Sequence, residues 1–337
     1  RDTGRRLVWE DLSGGGQGIG FVKTWLDRLL CQVGDMFSAV GRVLGLVPPG
    51  TSCARRLASA STRPPLVVTS TQNGVRTIVL NNPAKLNGWT QPMVQELTSA
   101  LDAAATDPTV EVAVVTGEGK YYCAGVDLSA IELMSPRALR NKIAAQNQKL
   151  FEIFLCFPKR IMVAMNGPAI GASVTSACLC DGIVASETAT LSTPFARLGV
   201  PPEGCSSVMF PRLLGAATAD RILGQEGWAP TASEAKELGL VTAVFPQSEL
   251  RDRAQSLAEE WIASGRPKSI SSLPYSQELL EELKQTNAHE SQVLADAFLG
   301  ETFLKNQLSM AQAKGKRKVA RIFWWALFLR PVWSLFL

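Results

Sequence analysis

Ile161-Met162-Val163-Ala164-Met165-Asn166-Gly167-Pro168-Ala169-Ile170-Gly171-Ala172-Ser173 is the stretch that decides the fold. Its five leading apolar residues predict a buried strand, since a strand covered on both faces reads as an unbroken run. Asn-Gly-Pro ends that strand, because proline has no amide to give a ladder. Small residues then open a helix from about 171 to 180. A buried strand feeding a helix through a glycine turn is the repeating piece of an α/β protein. The same junction lets backbone amides approach a ligand closely, at the helix end that favours negative charge.

The alternation recurs on both sides. Leu66-Val67-Val68 and Val75–Leu80 flank Gln72-Asn73-Gly74, a hairpin signal. Residues 91–105 place Val94, Leu97, Leu101 and Ala104 on one helical face, Asp107-Pro108 breaks that helix, and Val112–Val115 reads as a short buried strand. Ser135-Pro136 starts a long helix with proline at its first position. Thr231 and Glu234 form a capping box, and Gly239 stops the helix they start. From 247 to about 310 the pattern is helical, so the expected α/β core of residues 64–250 is followed by a helical layer at 251–312.

Composition narrows the chemistry. The chain has 337 residues, of which 46% are apolar, enough for a large core. Lys plus Arg is 34 and Asp plus Glu is 30, with no basic stripe in the central region, so no nucleic-acid partner is expected. His289 is the single histidine, which leaves Ser-His-Asp catalysis and His-rich metal sites almost nothing to work with, and no metal site is expected. The seven cysteines (31, 53, 123, 156, 178, 180 and 205) show no Cys-x-x-Cys spacing and fit buried thiols in a reducing compartment. Catalysis must therefore rest on carboxylates, backbone groups or a bound cofactor.

Both ends differ from the middle. Residues 1–35 carry acids and a Gly-rich run and suggest no packed element; the expectation is a disordered or non-native leader. Residues 36–63 contain Arg42, Arg55, Arg56 and Arg63 among hydroxyls and no acid, the composition of an organelle transit peptide. At 313–337 a basic stretch precedes the apolar run Ile322–Leu329, which Arg330-Pro331 interrupts. That run is too short to span a membrane. It reads either as a membrane-surface segment beside its basic flank or as sequence outside the natural protein, dispensable to the fold.

Three segments carry the chemistry: Tyr121–Leu128 with Cys123-Ala124-Gly125-Val126-Asp127, Asn166–Ser173, and Pro194–Cys205. The first two are glycine-bearing strand-to-loop junctions, and two amides converging on one oxygen would make an oxyanion hole. The third offers Glu203 in an otherwise apolar, proline-stiffened loop. Taken in order, together with Asn82-Pro83-Ala84-Lys85-Leu86-Asn87 and Thr231–Val241, they resemble the crotonase (enoyl-CoA hydratase/isomerase) superfamily from about Leu66 to Phe245.

The resemblance implies a spiral of ββα turns, a homotrimer or dimer of trimers, and an acyl-CoA thioester substrate. It implies no cofactor beyond the coenzyme A of that substrate. By resemblance the amides of Val126 and Ala172 are the oxyanion donors, and Ala84, Lys85, Leu86, Cys123, Gly125, Asp127, Leu128 and Gly171 line the thioester and coenzyme A. Asp127 reads as a loop or helix cap rather than a second acid. Hydratases of this family use two glutamates, but Thr175 and Phe195 occupy those positions here. Glu203, in Pro202-Glu203-Gly204-Cys205-Ser206-Ser207, resembles the base of Δ3,Δ2-enoyl-CoA isomerases of the peroxisomal type. The expected activity is therefore isomerisation of a 3-enoyl-CoA in fatty-acid β-oxidation, by Glu203 inside an apolar wall of Phe195, Leu198, Val200 and Phe210. A crotonase-like acyl-CoA-binding or scaffold module is the alternative, with a hydratase behind it. Mitochondria are the expected location, peroxisomes the alternative, and membrane contact follows only from the tail.

Overall fold

The computed structural model describes residues 64–126, 134–271 and 273–334. The leader at 1–35 and the transit-like segment at 36–63 therefore lie outside the described residues. One compact unit comprises Thr62–Glu132 and Pro136–Leu337, and the elements below belong to it.

Strands β1 (Val67–Gln72) and β2 (Val75–Leu80) form the expected antiparallel hairpin. Its turn residues Asn73 and Gly74 both have positive φ, 49° and 79°, as a two-residue hairpin turn demands. From β2 the sheet continues in parallel through β3 (Val112–Gly117), β4 (Arg160–Met165), β6 (Gly182–Ser186) and β8 (Ala243–Phe245), in the order β1-β2-β3-β4-β6-β8. All of β3 and β6, and Ile161–Met165 of β4, are buried, which is why they read as continuous apolar runs.

A second, shorter ladder runs behind the strand ends. Strand β5 (Ala169–Ile170) pairs in parallel with β7 (Leu191–Ser192), Cys123 bridges Ala169, and Trp89 bridges Val126. The chain after β2, β3, β4 and β6 thus passes through one step of this ladder before entering a helix. The turns are β2–Trp89–α1 (Gln91–Thr106), β3–Cys123–α2 (Pro136–Leu155), β4–β5–α3 (Ala172–Ala177) and β6–β7–α4 (Phe195–Leu198). This is a ββα repeat. In α1 the Thr90 hydroxyl caps the Met93 amide at 3.3 Å, and Met93 rather than Val94 joins Leu97, Leu101 and Ala104 on the buried face.

After α4 come α5 (Ser206–Leu214), α6 (Ala216–Leu223) and α7 (Ala232–Glu237). The capping box at Thr231 and Glu234 is present at the start of α7, and Gly239 sits at φ +79° just past its end. Helix α8 (Leu250–Ala263) covers one sheet face, packing Leu250, Ala254, Ala258 and Trp261 on Val112, Val114, Met162 and Ala164. The opposite strand faces, with Ala113, Val115, Ile161 and Val163, belong to the larger core under the other helices.

The helical layer departs from its expected continuity. A short hairpin, β9 (Ser269–Ile270) with β10 (Leu273–Pro274), precedes α9 (Gln277–Phe298) and α10 (Glu301–Ala313). The tail departs further. Residues Arg317–Trp333 form one helix, α11, which continues through Pro331 instead of stopping at Arg330-Pro331. Proline there lacks an amide only in the last turn, where one lost bond is tolerated. Phe323 and Trp333 are buried in the main core, the Trp333 indole donates to Ala326 O at 2.9 Å, and Arg330 Nε donates to Leu299 O at 3.3 Å. The reading of this segment as dispensable is thereby corrected: it packs as part of the unit. No helix among the described residues is long and apolar enough to cross a membrane.

Candidate active site

The parallel bridge between Cys123 and Ala169 lays the first two motif segments side by side, with Ile170 N–H donating to Cys123 O at 3.0 Å. Three residues past the bridge on each chain lie Val126 and Ala172. Their neighbours are committed: Gly171 N–H donates to Ser192 O at 2.7 Å, and Gly125 N–H to Cys123 Sγ at 3.3 Å. The Val126 and Ala172 amides find no acceptor among the described residues. Gly125 (φ +83°) and Gly171 (φ +62°) turn the backbone to leave them so. A β-carbon on Gly125 would lie 2.6 Å from Ile170 O, so no other residue fits.

The Asn82–Asn87 segment joins this pair. A 3-10 turn over Pro83–Lys85 leads to Leu86 and Asn87, both at positive φ, 52° and 54°. Ala124 N–H donates to Leu86 O at 2.9 Å and Trp89 N–H to Gly125 O at 2.8 Å. Ala84, Lys85 and Leu86 are exposed beside the Gly125 loop. Two buried asparagines, missed in the sequence, hold the loop in between. Asn87 Nδ2 donates to Glu118 O (2.9 Å) and Tyr121 O (2.8 Å), while Asn166 Oδ1 accepts from Gly117 N–H at 2.9 Å. Their signal was an asparagine at the end of the Asn82–Asn87 segment and another at the start of Asn166–Ser173. Asp127 and Leu128 lie outside the described residues.

Glu203 is 7% exposed, and its carboxylate accepts no hydrogen bond among the described residues. Burial, and secondarily the neighbouring Glu290 carboxylate, pushes its pKa up to about 8. Of the expected wall, Phe195, Val200 and Phe210 are buried and Leu198 is half-buried. The ring that meets the turn is another one: a β-carbon on Gly204 would sit 2.3 Å from Phe151 Cε1. Gly204 and Cys205 have φ of +67° and +62°, and for cysteine that conformation costs about 1–2 kcal/mol. The Cys205 thiol is buried, donates to Leu283 O at 3.2 Å and is held strongly protonated by burial, which is a packing role.

Glu290 of α9 is the residue that sequence reasoning missed. It is buried, and its two oxygens accept the Cys205 N–H at 2.6 Å and the Ser207 N–H at 3.0 Å. A signal existed. Leu283, Asn287, Glu290, Ser291 and Leu294 recur at helical spacing, and all are buried, so polar residues occupy the middle of an apolar stripe.

Helix α2 ties the two halves together. Phe151 and Phe154 share one of its faces. Phe154 stacks on Trp89 at 6.0 Å, beside the Gly125 loop, while Phe151 backs the turn after Glu203. Phe195 closes the other side, 4.0 Å from where a β-carbon on Gly171 would be. Thr175 is buried and spends its hydroxyl on Ala172 O at 3.3 Å, so neither hydratase-type position holds a carboxylate. Cys123 and Cys178 are buried and pushed up to about 12, and Cys180 is buried too, but Cys156 is exposed, against the expectation of uniformly buried thiols. No three His, Cys, Asp or Glu side chains converge on a metal position among the described residues.

Comparison with known proteins agrees with this geometry. The enoyl-CoA hydratase/isomerase family pattern matches residues 70–317. Enoyl-CoA delta isomerase 2 of Rattus norvegicus is 36% identical over 262 residues, 74% of this chain and 64% of that protein. The chain thus spans just under two thirds of that relative. The peroxisomal enoyl-CoA delta isomerase 3 of Mus musculus is 37% identical over 185 residues, 54% of this chain and 57% of its own length. Among solved structures, an enoyl-CoA hydratase from Bacillus halodurans superposes with a TM-score of 0.60 over 72% of this chain and 98% of its own, at 21% identity, which speaks to the fold alone. With the ββα spiral and both glycine junctions in place, the chain belongs to the enoyl-CoA hydratase/isomerase family, the crotonase superfamily.

Proposed function

We propose that this chain moves the double bond of a 3-enoyl-CoA to the 2-position. The observation that carries the reading is Glu203: a buried carboxyl whose pKa is pushed up to about 8, in a turn backed by the same helix face that flanks two amides finding no acceptor among the described residues. The Glu203 carboxylate takes a proton from C2, and the thioester becomes a dienolate whose oxygen receives the Val126 and Ala172 amides. The same carboxyl returns the proton to C4, leaving the conjugated 2-enoyl-CoA and a regenerated carboxylate. A group that must act as base and then as acid works best with a pKa near the working pH. Backbone donors fixed before the charge develops stabilise the dienolate more than the ground state, and one such donor is worth about 2.7–4 kcal/mol.

The second carboxylate nearby does not make this a hydratase site. Glu290 already spends both oxygens on backbone amides, and Thr175 and Phe195 supply neither acid nor base for water. The isomerase named among the relatives supports the same direction.

The test is turnover by the full chain. It is expected to convert 3-enoyl-CoA to 2-enoyl-CoA, to hydrate 2-enoyl-CoA poorly, and to lose about 10²–10⁴ of the isomerase rate in Glu203→Gln with little change in acyl-CoA affinity. Near-normal turnover by Glu203→Gln would overturn the mechanism. Acyl-CoA binding without turnover of either substrate would favour a binding module.

A further inference from the structure

We propose that Glu290 is a positioning residue for Glu203, clamping the strained Gly204–Ser207 turn that aims the Glu203 side chain. The inference rests on the reading of Glu203 as the proton carrier, and deepens it.

The turn cannot hold itself. Two consecutive residues at positive φ, one of them a cysteine, persist only where the surroundings over-determine them. Three contacts do so. Glu290 takes the Cys205 and Ser207 amides, one on each oxygen (2.6 and 3.0 Å), and so caps the otherwise unsatisfied start of α5. Ser206 Oγ donates back to Glu203 O at 2.7 Å. The Cys205 thiol donates to Leu283 O, again from α9. Two of the three therefore come from one helix, and the residue both of them hold, Cys205, lies two positions after Glu203.

That helix is itself fixed. Asn147 Nδ2 of α2 donates to Ser291 Oγ at 3.2 Å, and Asn287 Nδ2 donates to Gln148 O of α2 at 2.9 Å. Helix α2 also carries the Phe151 ring under Gly204. The clamp and the wall are thus tied to each other, and the carboxyl of Glu203 has no hydrogen bond of its own among the described residues to define its direction. A carboxylate is suited to this task because it accepts two N–H groups at once; its charge also sits beside Glu203. The other titratable groups near this turn are the Cys205 thiol, Glu282 and His289.

A purely structural role for Glu290 would change stability and nothing else. Glu290→Gln keeps the shape but presents an NH₂ to one of the two amides and removes the charge. It is expected to lower kcat for 3-enoyl-CoA by at least 10-fold in folded protein, with KM within about twofold. It is also expected to shift the Glu203 titration downward, because the charge that helped hold its proton is gone. Glu290→Asp keeps the charge and withdraws it by one methylene, so kcat falls while the titration moves less; this variant carries the test should Glu290→Gln fail to fold. Glu203 protonation is read directly from the carboxyl infrared band that vanishes in Glu203→Gln, with no substrate involved. If the parent turns over no 3-enoyl-CoA, the isomerase reading fails while the band still tests the clamp. An unchanged band midpoint in Glu290→Gln, or unchanged kcat in an active enzyme, overturns the proposal.

Discussion

Gly204→Ala tests how tightly the turn after Glu203 is built. Two costs act on the added methyl. Its backbone sits at φ +67°, which an L-residue resists by about 1–2 kcal/mol. The methyl carbon would also lie 2.3 Å from Phe151 Cε1 and 2.7 Å from Cδ1 and Cζ, so it meets a ring edge rather than a flexible chain end. Phe151 is fully buried near the C-terminal end of α2, and displacing such a ring is overpacking of the kind that costs about 1–3 kcal/mol. Together these place the loss at about 2–5 kcal/mol. For a domain of this size that is a fall of roughly 5–15 °C in Tm by calorimetry.

Gly239→Ala provides the internal control. Its φ is +79°, but nothing lies within 4 Å of the added carbon, so only the conformational cost applies. Phe151→Leu in the Gly204→Ala background should recover part of the steric loss, as coupled neighbours do. Equal falls in Tm for Gly204→Ala and Gly239→Ala would refute the reasoning, because the Phe151 ring would then be yielding freely.

Three further outcomes follow from other parts of the molecule. Gly125→Ala drives a β-carbon to 2.6 Å from Ile170 O at φ +83°, so the Val126 amide must move; isomerase kcat is expected to fall by about 10²–10³, the loss of one oxyanion donor, with the family fold retained by circular dichroism. Glu203 is raised in the folded state to about 8, so its contribution to stability is present below the ordinary carboxylate range and lost as pH rises through 8. Thermal melts from pH 5 to 9 are expected to show Glu203→Gln gaining on the parent by on the order of a few kcal/mol across that window, and parallel curves would contradict it. Truncation before Arg317 removes Phe323 and Trp333 from the core, two fully packed aromatics worth about 3–5 kcal/mol each, so the shortened chain should melt markedly lower; an unchanged Tm would restore the tail to a loose appendage.

What could be read from the sequence was whatever is local or periodic. The Asn73-Gly74 hairpin, the Thr231 capping box and the runs at 112–115 and 161–165 are decided by neighbours within a few positions. The glycine junctions at 125 and 171 were legible because only glycine meets their φ, though the bridge that sets them side by side is not written in either segment. Glu290 was not legible as a partner of Cys205, which lies 85 positions away in the chain, and its neighbours make α9 look like a solvated charged helix. Phe151 was hidden for the same reason. Pro331 misled because a proline is a stop signal in the middle of a helix but a mild defect in its final turn.

Under the proposed isomerase reading, the distribution of strain in this chain follows from what the double-bond shift asks of it. The proposed oxyanion donors are backbone groups, so the protein tunes them only through residues that fix the chain, and it places glycine where a side chain would collide with Ile170 O. The proposed proton carrier, Glu203, is a side chain, and its strength is set by what surrounds it. Burial alone would raise Glu203, but a second buried carboxylate bound to two amides raises it further and cannot itself release a proton to substrate while those bonds last. A hydratase needs a base and an acid at the same water, whereas a double-bond shift needs a single group that gives back what it took. On the proposed reading, the bonded state of Glu290, more than the number of carboxylates, is what separates those two chemistries here.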